Sequence, residues 1–83
     1  MDIRTATLSE LGRFVASRTA NTAAAAIARS TAPQVRYDAV VYNVLLTATD
    51  RTQFSTAELL DLAARIADPA RRHRATEAVE ADE

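Results

Sequence analysis

The chain has no cysteine, no lysine and no tryptophan, and only one histidine, one glycine and two prolines. Each scarcity closes off a kind of chemistry or fold. Without cysteine there is no disulfide framework, no thiol nucleophile and no cysteine-based zinc site. A single histidine, His73, puts a multi-histidine metal site beyond the reach of one chain. A single glycine, Gly12, cannot furnish a glycine-rich phosphate loop, and no serine sits in a nucleophile elbow. With Gly12, Pro33 and Pro69 as the only glycine and prolines, an all-β fold would lack its turn chemistry. No apolar run approaches the roughly 18 residues of a membrane span. The start, MDIRTATLSE, has neither the basic lead nor the apolar stretch of a secretory signal, so a cytoplasmic protein is expected.

The 83 residues suit one small domain, a size at which the buried fraction is limited and stability marginal. The apolar share is 48%, but much of it is alanine, which buries little. Large apolar side chains concentrate between Val35 and Ile66. A core so lopsided predicts either completion by a second copy or a partner, or a plain three-helix core with frayed ends. All ten basic residues are arginine, and with the many alanines this matches the coding habit of a high-GC bacterium or its phage. Codon bias alone accounts for that choice. The net charge of −1 makes no overall electrostatic case for nucleic acid. The charge is uneven, however: the arginines all lie at or before Arg74, and the stretch after it carries only acids.

Helix-start signals recur. Thr7-Leu8-Ser9-Glu10 and Ser55-Thr56-Ala57-Glu58 read as capping boxes, the second with Phe54 and Leu59 at staple spacing. Thr31-Ala32-Pro33-Gln34 is a weaker version with proline in the first turn, and Asp68-Pro69 offers a fourth start. Residues 34–48 are apolar around most of the helical cylinder, which predicts a central buried helix. On one straight helix over 8–30, Arg18 and Arg29 would share the face of Leu11 and Val15 while Ile27 pointed away. A break near Ser17–Thr22, with Asn21 or Thr22 capping a second helix, resolves that conflict. Residues 69–83 order their charges against the helix dipole and carry one large apolar residue, Val79. The expectation is an all-α fold, a small bundle of three to five helices over about 8–17, 22–30, 34–48 and 56–67, with a frayed helix or tail at 69–80. Residues 1–67 then form a single helical domain and 68–83 a charged C-terminal helix or tail.

No catalytic constellation emerges. His73 has acidic neighbours only in the polar C-terminal stretch, and the Glu58/Asp61 pair reads as a cap and a solvated face. No catalytic, cofactor-binding or metal-ligating residue is therefore assigned, no cofactor is expected, and the protein is expected not to be an enzyme. Two readings remain. The first is a small regulator or adaptor that binds a protein partner, antitoxin-like or a phage-type inhibitor acting by occlusion, with self-association as a homodimer. The second is a helix-turn-helix DNA-binding regulator. It could use residues 22–30 and the helix after Pro33, or residues 56–67 and the helix after Pro69. The candidate contact residues are Arg29, Arg36, Arg71, Arg72 and Arg74; at 71–74 arginine suits phosphate or guanine contact. No membrane association is expected.

Overall fold

The computed structural model describes residues 1–82, and these residues form helices joined by short turns, with no strand. Helix α1 spans Leu8–Arg18 and is followed by a 3-10 helix, Thr22–Arg29. Then come α2 at Pro33–Leu45, α3 at Ala48–Arg51, α4 at Thr56–Ala64 and α5 at Pro69–Ala81. The all-α class is as the residue pattern predicts. The count is six, not three to five. The extra element is α3, a single turn inside the connection TDRTQF, where Asp50 and Arg51 both donate backbone N–H groups to the Thr47 carbonyl.

Both capping boxes close. The Thr7 hydroxyl accepts from the Glu10 N–H at 3.1 Å and the Glu10 carboxylate accepts from the Thr7 N–H at 3.0 Å. Ser55 and Glu58 repeat the pattern at 3.1 and 2.8 Å. Asp68 caps α5, its carboxylate accepting from Ala70 and Arg71. Thr31 does not cap α2. Ala32 occupies that position, with no side-chain bond, and Pro33 begins the helix. Helix α2 stops at Leu45, short of the expected residue 48, because Thr47 turns its hydroxyl back onto the Asn43 carbonyl and the chain re-enters as α3.

The break after α1 falls at Thr19, whose backbone is extended and whose hydroxyl donates to the Val15 carbonyl and accepts from the Asn21 N–H. Asn21 then caps the next helix through Ala23. That helix is wound three residues to the turn, so Ala24 and Ile27 stack on one face, and both are fully buried. They press against α1 at Gly12. A β-carbon there would stand 2.8 Å from the Ala24 carbonyl oxygen and 2.9 Å from the Ile27 β-carbon. Absence of a side chain lets the two segments meet.

Helix α2 is the hub and touches all five other elements. Tyr37, Val41, Val44 and Leu45 are fully buried along it. Helix α1 and the 3-10 helix cover one side, α4 and α5 another. The segment expected to fray is a regular 13-residue helix, anchored by buried Ala75 and Val79. At its C-terminal end Asp82 accepts from Arg51 at 2.6 Å, while Arg51 also donates to the Leu45 carbonyl. Burial of Ala75 and Val79 and the ion pair from Arg51 to Asp82 thus hold a helix with weak intrinsic reasons to form.

Candidate functional site

One buried polar residue organises the second half. Asp38 lies on α2, is 6% exposed, and its carboxylate accepts three hydrogen bonds. These come from the Gln34 side chain at 2.8 Å and the backbone N–H groups of Ala67 at 3.0 Å and Asp68 at 3.1 Å. Gln34 also donates to the Arg65 carbonyl, and the Tyr37 hydroxyl donates to the Leu62 carbonyl at 2.8 Å. The end of α4 and the turn that follows are therefore fixed to α2 by three side chains. Burial pushes the Tyr37 phenol above its ordinary range, against the opposing charge of Arg65. Arg65 donates to the Ile3 and Ala6 carbonyls, which ties the N-terminal segment to the same corner. Every one of these groups is paired, so the cluster is structural, with no free acid, base or nucleophile.

The predicted contact residues do not form one patch. On α5, Arg71 and Arg72 flank the buried line of Ala75 and Val79 on opposite sides. Arg71 lies over the Tyr42 ring at 5.7 Å and 4.0 Å from Asp68. Arg72 donates to the Ile66 carbonyl at 3.2 Å. Arg74 is exposed and makes no ion pair among the described residues. His73 lies 3.1 Å from the Glu77 carboxylate in solvent. A hollow of about 480 Å³ separates α4 from α5, lined by Leu60, Ala64, Pro69, Arg72, His73 and Thr76. It is open, and its one histidine already faces a carboxylate.

Arg29 and Arg36 lie at the other corner. Both are exposed, Arg29 at the end of the 3-10 helix and Arg36 in the first turn of α2. Arg36 lines a hollow of about 300 Å³ with Ser30, Ala32, Val35 and Ala39. From that hollow a strip runs along one side of α2 at helical spacing: Val35 and Ala39 are exposed, while Tyr42, under Arg71, and Leu46, just past the helix end, are half-buried. Val35 is 69% exposed, and among the described residues Met1 is the only other exposed large apolar side chain. Sequence reading missed this strip because α2 is apolar almost all round. It also missed Asp38, although a lone carboxylate inside an apolar helix, four residues after a glutamine, was the available signal.

Among the described residues no group of three or more histidines and carboxylates could hold a metal ion, and no helix is long and apolar enough to cross a membrane. No protein-family model matches the chain, no curated protein matches its sequence and no solved structure matches its fold.

Proposed function

We propose that the protein acts by binding a protein partner, as a small adaptor or regulator that masks the partner's surface and carries out no catalysis. The observation that carries this reading is the end of α2 where Val35 and Ala39 stay exposed. Apart from Met1, Val35 is the one large apolar side chain left in solvent among the described residues, and it stands beside a hollow with Arg36 on its rim. A valine at 69% exposure contributes little to folding and is free to enter an interface. The test is recovery of partners from the native host, with mass spectrometry and nucleic-acid detection on one eluate. The reading predicts a protein partner retained at moderate salt and lost with Val35→Asp. Recovery that ignores Val35→Asp would contradict it. Sedimentation across a range of concentrations separates a foreign partner from a second copy of the chain.

A helix-turn-helix reading draws its support from α4 and α5, joined by the four residues Arg65–Asp68. Its weakness is electrostatic. Asp68 places a carboxylate where DNA phosphate would approach, and Arg71 and Arg72 are engaged within the protein. Helix α2, the alternative reading helix, is buried on most sides. Binding to mixed duplex DNA at low salt, weakened by Arg71→Ala with Arg72→Ala and falling steeply as salt rises, would restore this reading.

A further inference from the structure

We infer that the second half of α5, residues 76–82, is a strap that opens as a unit while the rest of the fold stays closed, and that the Arg51–Asp82 ion pair is its catch. The inference stands apart from the Val35 end of α2 and does not depend on the protein-binding reading.

The two halves of α5 are held unequally. Asp68 caps the start, and Asp38 collects the backbone N–H groups of Ala67 and Asp68 just before it. Pro69 begins the helix, Arg72 donates to the Ile66 carbonyl, and Ala75 is fully buried. Beyond Ala75, the anchors to other elements among the described residues are buried Val79 and the 2.6 Å pair between Asp82 and Arg51. Thr76 marks the boundary. Its hydroxyl donates to the Arg72 carbonyl at 2.8 Å and competes there with the helix's own N–H group. After it come Glu77, Glu80 and Asp82, with no base in the last turn, so these acids crowd the negative end of the helix dipole. One valine and one ion pair must offset both that repulsion and the backbone freedom that residues 76–82 regain on leaving.

The catch outlasts the strap. The Arg51 side chain is mostly buried and also donates to the Leu45 carbonyl, so it keeps its place when Asp82 departs. Asp82 is more than half exposed, which leaves the pair open to screening by salt. Under the strap lies a hollow of about 180 Å³, lined by Phe54 and Leu59 from the body of the fold and by Val79 and Asp82 from the strap. Opening withdraws Val79 and Asp82 and bares Phe54 and Leu59, which are buried while the strap is shut. The strap is thus an autoinhibitory cover over an apolar surface.

The test is native-state amide hydrogen exchange of the full chain at low and at high sodium chloride. The amides of Glu77 to Ala81 are expected to share one opening free energy, below that of Val41 and Val44 on α2, while Ala75 stays with α2. Asp82→Asn separates two effects of opposite sign. Removing an acid from a helix C-terminus slows opening if the dipole dominates. Removing the catch speeds it by about two- to fivefold, the worth of a partly exposed ion pair. Glu80 is exposed and makes no ion pair among the described residues, so Glu80→Gln deletes the same charge away from Arg51 and should leave opening unchanged or slow it. Salt should speed opening in the unaltered chain and not in Asp82→Asn. Exchange of Glu77 to Ala81 only at the α2 value overturns the strap. So does protection that declines residue by residue toward Asp82, the mark of simple fraying. Slower exchange in Asp82→Asn, or equal acceleration in Glu80→Gln, overturns the catch.

Discussion

Two helix pairs close on α2, and they close by different physics. Helix α1 and the 3-10 helix meet through shape. Gly12 sits against Ala24 and Ile27, with Leu11 and Val15 buried alongside, and no side-chain ion pair joins the two among the described residues. Helices α4 and α5 meet through a turn whose N–H groups are collected by Asp38 on a third helix. The first pair should therefore fail when volume is added, and the second when an acceptor is removed. A small domain with few large apolar side chains can use either device, and this one uses both.

The largest expected effect is at the polar corner. Asp38→Ala leaves two backbone N–H groups and the Gln34 amide without their acceptor, at a cost of about 3 kcal/mol or more. Urea unfolding should show it, with a smaller loss for Asp38→Asn, which keeps one acceptor oxygen. Gly12→Ala comes next. Alanine raises helix propensity by about 1 kcal/mol, but the clash with a backbone oxygen should cost more, for a net loss of about 1–2 kcal/mol. A stabilised Gly12→Ala variant would mean that the first pair is looser than described. Tyr37→Phe loses one buried hydrogen bond, about 1 kcal/mol in the same experiment.

Titration sharpens the contrast further. Tyr37 is raised in the folded state, so above the ordinary tyrosine value of 10.0 the unfolded chain gives up its proton first. Stability should therefore fall with pH in that range, and Tyr37→Phe should flatten the fall. At the acid end, the backbone N–H groups of Thr7 and Ser55 hold Glu10 and Glu58 below their ordinary value of 4.5, with Arg18 assisting at Glu58. The stability they supply is present above that value and is lost as pH falls through the lowered one. Glu58→Gln should reduce the acid-side slope of melting temperature against pH.

Much of this fold was legible in short-range patterns. The capping boxes at Thr7 and Ser55, the Asp68-Pro69 start, the break before Asn21 and the central position of α2 all follow from neighbours within a few residues. What escaped depends on partners far along the chain. The order of α5 rests on Arg51 meeting Asp82 and on Val79 finding the core, 31 residues separating the first two. The 3-10 winding of Thr22–Arg29 accompanies its close seat on α1 at Gly12. Alanine-rich sequence alone favours an ordinary α-helix. The candidate surface was the least legible. Periodicity locates apolar residues on a helix but does not tell which of them its neighbours leave uncovered, and Val35 became conspicuous only after both pairs were seated.

With those pairs in place, Val35 and Ala39 stay exposed on α2, and the proposed function rests on that end of the helix. The most direct measurement compares Val35→Asp with the unaltered chain in both partner recovery and thermal melting. The account predicts that recovery is lost while stability stays within about 0.5 kcal/mol, as for an ordinary surface substitution. Recovery that persists, or a loss of stability large enough to mark Val35 as a folding residue, would contradict it.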